Sequence, residues 1–326
     1  MPHLELAVAV PSFIGSLTSC LATTIFGVLY FIYPPERHFR QALVVNLLLA
    51  DWINSLNNTI SGGIALSERH REDYFTAGAA CTTNGWIGQF SVQAIDFNIL
   101  IISITVLITV RKNRFQFQPS WLKTLSVCAI PWLFPLITSN IALGLHGYGP
   151  VSGNWCWIKK DRQDLRWGLT HGWRVAIFIV TVSIYTYVYI YLARHYRGVS
   201  SVGSQASERE LHSSSEQELS RMGNSKEDDK KTLIQTTCAP ASPNHNTTGR
   251  IKKTPDLRKM LLLNGYPLLY ILLWLPGMAN RVHEAATGWS PEWLVAMQSC
   301  TQFVGLGNAI TYALNEQFRG RIRDRS

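Results

Sequence analysis

Two carboxylates lie inside long apolar runs, Asp51 and Asp96, and two guanidiniums lie at or near the ends of such runs, Arg174 and Arg281. Asp51 closes the stretch Asn46-Leu-Leu-Leu-Ala-Asp51, inside a run that is largely apolar from Gln41 to about Leu66. A charge near the middle of a membrane-spanning helix costs roughly 2.5 to 3.5 kcal/mol on insertion scales, so Asp51 should face protein partners rather than lipid. Asn54, Ser55, Asn58 and Ser61 follow it at helical spacing and make a polar stripe on the same side. Paired aspartates in a membrane can do intramembrane proteolysis, but neither Asp51 nor Asp96 stands in a Gly-x-Gly-Asp setting. Their chemistry reads as polar contact inside a bundle, and no enzyme activity is expected. Neither a Cys-x-x-Cys pair nor a Cys/His cluster at ligand spacing occurs, so no metal or other cofactor is expected.

The elements that must hold these residues are long apolar helices. Spans are expected at about 8–33, 41–66, 81–110, 122–145, 173–192, 257–282 and 292–314. The third carries Gln89, Gln93, Asp96 and Ser103 along one face. The fourth contains Pro131 and Pro135, and the sixth Pro267 and Pro276, tolerable where neighbours satisfy the freed carbonyls. The sixth also aligns Tyr266, Tyr270, Trp274 and Arg281, and the seventh Gln298, Thr301, Gly305, Asn308 and Tyr312. Alternate tyrosines from Tyr185 to Tyr191 suggest a strand, but the length of the fifth run favours a helix.

Composition agrees once the chain is divided. Mean hydropathy is only +0.05, because a polar segment at 196–256 dilutes the rest. That segment reads as a disordered cytosolic loop. The expected organisation is spans one to five in 1–195, the loop in 196–256, spans six and seven in 257–314, and a basic amphipathic tail in 315–326. In that tail Phe318 with Arg319, Arg321, Arg323 and Arg325 suits an anionic membrane surface.

Seven spans put the amino end outside and the carboxyl end inside, as a multi-pass protein of the plasma membrane. Of the thirty Lys and Arg, twenty-two fall in segments so assigned to the cytosol, which agrees with the positive-inside rule. The net charge of +9 therefore belongs to the inner membrane face, and no nucleic-acid partner is expected. Cys81 and Cys156 are the two cysteines on the outer side. They can pair in an oxidising compartment, or stand as free thiols.

In this order the motifs resemble a seven-helix G protein-coupled receptor over nearly the whole chain. Asn46 to Asp51 resembles the second-helix Asn and Asp pattern, and Cys81 with Cys156 the usual disulfide between the third helix and second outer loop. Trp274-Leu-Pro276 resembles the sixth-helix toggle, and Asn308-Ala-Ile-Thr-Tyr312 the seventh-helix Asn-Pro-x-x-Tyr motif with Ala309 replacing Pro. No acidic residue precedes Arg111, so the acidic-Arg-aromatic lock of rhodopsin-like receptors is missing. The Cys156-Trp-Ile158 core and the aromatic sixth helix look more like the cyclic-AMP receptor-like group, which overlaps fungal glucose-sensing receptors.

The resemblance implies an all-α seven-transmembrane bundle that senses an extracellular small molecule and promotes GDP/GTP exchange on a heterotrimeric G protein through Gα. Asn46, Asp51, Asp96, Trp274, Pro276, Asn308 and Tyr312 would form the switch and polar hub; a purely structural network is the other reading. Arg111, Lys112 and Arg114 would face the G protein. Ligand-binding candidates are Gln89, Gln93, Trp155, Trp157, Lys159 and His171, with Arg174, Tyr270, Arg281 and Gln298. Arg174 and Arg281 suit an anionic ligand such as a cyclic nucleotide, or they anchor span ends at lipid headgroups. Lipid is an expected partner, and a homodimer is left open. The alternatives are a small-solute transporter, though the halves show no repeat, and a G-protein-independent membrane sensor. A retinal pump would need a lysine in the seventh span, which has none.

Overall fold

Leu and Ile crowd the outward faces of these helices while Ser, Thr, Asn, Gln and Asp face inward, the reverse of a water-soluble protein. The computed structural model describes residues 6–33, 39–67, 78–112, 120–152, 155–191, 193–194 and 265–315. Among them lie seven long helical segments: α1 (Leu6–Ile32), α2 (Phe39–Ser67), α3 (Ala79–Lys112), α4 (Trp121–Gly144) and α5 (Gln163–Tyr191), then α6 (Gly265–Thr287) and α7. The last runs as α-helix over Glu292–Met297, tightens to 3₁₀ over Gln298–Phe303, and returns to α-helix over Val304–Asn315. By length and composition alone α1, α3, α4 and α5 can cross a membrane. Polar residues on the inward face dilute the other three.

Residues 1–185 with 256–326 make one compact unit and residues 186–255 a second. In the first, α1 packs on α2 and α7, α2 on α3, and α3 on α4. Its central apolar cluster joins Leu47 and Leu48 to Ile99, Ile102, Tyr270 and Val304. Of the second, residues 186–191 and 193–194 are described; they are helical, and the Tyr187 and Tyr191 rings stack 6.3 Å apart.

The expected spans one to four lie within about two residues of α1 to α4. The fifth begins ten residues earlier than expected. One α turn (Gln163–Arg166) leads into a π turn (Trp167–His171), where hydrogen bonds reach one residue further than in an α-helix. Gln163, Asp164 and Arg166 hide this start from an apolar count, yet Arg166 is buried. The sixth helix continues past Val282 to Thr287, carried by an ion pair between Arg281 and Glu284 one turn apart, 2.6 Å. The expected cytosolic loop at 196–256, the start of the sixth span at 257–264, and the tail at 316–326 lie outside the described residues.

The connection between α4 and α5 is a β-hairpin rather than an irregular loop, β1 (Tyr148–Ser152) pairing antiparallel with β2 (Trp155–Ile158). Its Cys156 is disulfide-bonded to Cys81 at the start of α3. Gly85, one turn on, lets the hairpin sit close; a Cβ there would meet the Tyr148 ring at 2.9 Å and the Trp157 backbone at 3.3 Å. The Tyr148 hydroxyl donates to Gln89 Oε1 at 2.9 Å, with the Ser139 carbonyl at 3.2 Å as second acceptor. Burial pushes this phenol above its ordinary pKa.

Candidate functional site

A cavity of about 150 Å³ opens inside the bundle, walled by α1, α2, α3, β2, α5, α6 and α7. Amides dominate its polar lining: Asn54, Asn57 and Asn58 from α2, Asn84, Gln89 and Gln93 from α3, and Gln298 and Gln302 from α7. The pairs Asn54–Asn58, Gln89–Gln93 and Gln298–Gln302 are each four residues apart, which keeps them on one inward face of their helices. Trp155 and Trp157 of β2 roof it with His171, and Trp274 of α6 contributes a further aromatic wall. Arg174 and Arg281 add positive charge, and no carboxylate is among the lining residues.

Much of this lining is already committed. Gln93 donates to the Leu169 carbonyl and accepts from Thr138 at 2.5 Å. Asn84 ties three elements together, donating to Asn57 Oδ1 at 3.1 Å and accepting from the Cys156 amide at 3.2 Å. Asn58 donates to Gln302 at 2.9 Å. By contrast the Gln89 side-chain NH₂ and the Trp274 indole N–H are buried donors with no partner among the described residues. A buried donor left unmade costs about 1 to 3 kcal/mol, so both favour an occupant that brings acceptor oxygens.

The two arginines singled out from sequence are both engaged. Arg174 Nε lies 2.9 Å from Asp96 Oδ2, and its guanidinium carbon is 4.3 Å from the centre of the Trp274 ring. Tyr270 donates to the other Asp96 oxygen at 2.8 Å, so one carboxylate clasps α3 to α5 and α6. Arg281 pairs with Glu284, and Glu284 also lies 4.0 Å from buried Arg166.

Eight of the ten ligand candidates therefore line the cavity: Gln89, Gln93, Trp155, Trp157, His171 and Gln298, with Arg174 and Arg281. Tyr270 and Lys159 do not. Tyr270 is buried beneath the cavity by its bond to Asp96, and Lys159 lays its carbon stem over Gly149. Sequence reading had not singled out Asn57, Asn84, Gln302, Arg166 or Glu284. For the asparagines the amide-rich spacing in α2 and α3 was the available signal; for Arg166 none existed before its neighbours were placed.

The expected hub divides into three. Asp51 accepts from Asn308 at 2.7 Å, and Gly305, one turn away in α7, admits the Cβ atoms of Ser19 and Asp51. Asp96 belongs to the separate Arg174 clasp. Asn46 faces elsewhere, donating to Asn98 Oδ1 at 2.7 Å and to the Cys128 carbonyl, and accepting from the Trp132 indole at 2.9 Å. Asn46 and Asp51 are five residues apart in α2, a rotation of about 140°, so Asn46 bonds on a different side of the helix from the Asp51–Asn308 pair. Tyr312 packs edge-on against Phe26, ring centres 4.5 Å apart. Pro276 lies inside α6, two residues after Trp274. Arg111 is exposed at the end of α3, which closes at Lys112; Arg114 lies outside the described residues.

The fold matches that of squid rhodopsin with a TM-score of 0.64 at 14% identity, over 99% of this chain and 87% of that one. In sequence the chain is similar to the ascaroside receptor GPR2 of Arthrobotrys oligospora, 25% identical over 86% of this chain and 81% of the relative. A family described as a G protein-coupled glucose receptor regulating Gpa2, Git3, matches residues 5–199. Family and relative are receptors rather than enzymes, and the partner such a receptor acts on is a G protein. With well over half of its length inside the match, the chain belongs to the Git3 family of G protein-coupled receptors.

Proposed function

We propose that the chain sits in the plasma membrane with the β-hairpin outside, binds a small polar molecule in the central cavity, and accelerates GDP/GTP exchange on a Gα subunit at its inner face. The observation that carries this reading is the cavity itself. It is lined by amides and aromatic rings, roofed by a disulfide-held hairpin, and bordered by the Asp96–Arg174–Tyr270 clasp joining three helices. A ligand that contacts Arg174 or Trp274 touches α5 and α6 together. It can thereby favour one packing of those helices over another, to the extent that its contacts differ between the two.

Amides presenting both donors and acceptors suit a nutrient-sized molecule rich in hydroxyl groups, and the relatives named for glucose and ascaroside responses agree in kind. A cyclic nucleotide also fits the cationic wall. Arg111 and Lys112, at the other end of α3 from Cys81, would meet Gα together with Arg114, two residues further on in the sequence. Lipid surrounds the apolar outer faces, and the reading asks for one bundle per Gα and needs no homodimer.

The test is GTP exchange on a panel of Gα subunits with membranes holding this chain, before and after adding sugars, other nutrients and cyclic nucleotides. Acceleration on one Gα is expected, lost in a Gln89→Leu variant that still reaches the cell surface. Exchange that no compound changes, with the disulfide formed, would overturn the reading.

A further inference from the structure

The outer end of the cavity carries more positive charge than its own carboxylates neutralise. Arg166, Arg174 and Arg281 gather there around His171, while among the described residues Asp96 and Glu284 are the carboxylates paired with them. Asp96 is taken by Arg174. That leaves Glu284 between two guanidiniums, 2.6 Å from Arg281 and 4.0 Å from Arg166. Asp161 acts on Arg166 only at longer range and is exposed, and Lys159 and Lys160 on the same hairpin arm add further positive charge.

Arg166 is the telling member. Its side chain is 2% exposed, an expensive place for a guanidinium without a full set of acceptors. Nε donates to the Ile158 carbonyl at 2.9 Å, and the group lies over the Trp157 ring at 5.4 Å. Nη2 has no partner among the described residues. Trp157, His171 and Arg281 all line the cavity, so this surplus charge stands directly behind and beside its wall. The buried donors without partners at Gln89 and Trp274 have the same character, asking for acceptor oxygens and not for donors.

We propose that this end is a subsite for a carboxylate, and that the molecule sensed is a small polar acid. Its carboxylate seats against Arg281 with Arg166 behind, and its remaining oxygens meet Gln89 and Trp274. Glu284 is the resident carboxylate that the acid displaces or joins. The inference rests on the cavity being the ligand site and adds the charge of the ligand. Two oxygens of one carboxylate match the fork of a guanidinium, which a neutral amide of the same shape does not.

The experiment uses acid and amide pairs of one skeleton, glucuronate with glucuronamide, gluconate with gluconamide, and hexanoate with hexanamide. Each is tested on the full chain in lipid nanodiscs for thermal stabilisation, and in membranes for GTP exchange. At least one acid is expected to act at tenfold lower concentration than its amide. The preference should vanish in Arg281→Gln, whose side chain is partly exposed and tolerates replacement, and should grow in Glu284→Gln, where the internal competitor is gone. Acids no better than their amides, or a preference that survives Arg281→Gln, would overturn the subsite. Should glucose still drive exchange in that case, the cavity reading stands and only the charge assignment falls; should Gln89→Leu also leave every response intact, both fall.

Discussion

Replacing Arg174 by Gln should destabilise the receptor before any question of ligand arises. Asp96 is 1% exposed and holds two partners, Arg174 at 2.9 Å and Tyr270 at 2.8 Å. At that separation the ion-pair attraction is about 6 kcal/mol with an effective dielectric constant of about 20. Relaxation and water entry reduce what is lost, and breaking one side of a buried pair generally costs about 3 to 5 kcal/mol. Stacking of Arg174 on Trp274 at 4.3 Å contributes a further share of about 1 kcal/mol. Asp96→Asn alone should cost less than Arg174→Gln, since an arginine one-tenth exposed can turn to water while a buried carboxylate cannot. The double variant should recover much of the larger loss. The assay is thermal unfolding of the purified receptor and the three variants, read as a double-mutant cycle. Single losses under about 1 kcal/mol that simply add in the double variant would show that solvent screens the pair, and the clasp argument would be wrong.

Cys81→Ser, Cys156→Ser and the double variant should lose similar stability, since each opens the same 75-residue loop, about 4 kcal/mol in the chain-entropy account; unequal losses in unfolding scans would contradict this. Asn308→Ala leaves Asp51 buried without its 2.7 Å donor and should cost about 1.5 to 3 kcal/mol, while Asp51→Asn in the same background restores part of it. Gly85→Val should lift the hairpin from α3, because its Cβ would meet Tyr148 at 2.9 Å; slower disulfide formation, followed by thiol labelling, is the readout. Tyr148→Phe removes the hydroxyl bonded to Gln89 and should cost about 1 kcal/mol, with faster protease cleavage of the hairpin as the check.

Much of the bundle was legible because lipid allows few solutions. A run of twenty apolar residues must be helical, and a carboxylate inside it must point inward; Asp51, Asp96 and the Gln89–Gln93 face followed directly from that. What spacing could not give was the partner. Asp51 and Asp96 look alike in sequence, yet one meets Asn308 and the other Arg174, a choice made by packing between helices far apart in the chain. The β-hairpin escaped notice because Gly149, Pro150, Gly153 and Asn154 mask its alternation. Arg166 read as a loop residue until Trp157 and Glu284 surrounded it. The phase of α5 was equally hidden, since no residue pattern announces a π turn.

That π turn has a consequence for the register of the two arginines it separates. Arg174 lies eight positions after Arg166, and along an unbroken α-helix the two would diverge by about 80°. Trp167–His171 takes up about one extra residue in a single wide turn, bringing the two guanidiniums nearly into line. One can then meet Glu284 and the other Asp96 without either swinging toward lipid. Kept at the same length but wound as ordinary α-helix, this turn would put the two charges about 80° out of step; with one residue deleted, α-helix would hold them within about 20° of each other.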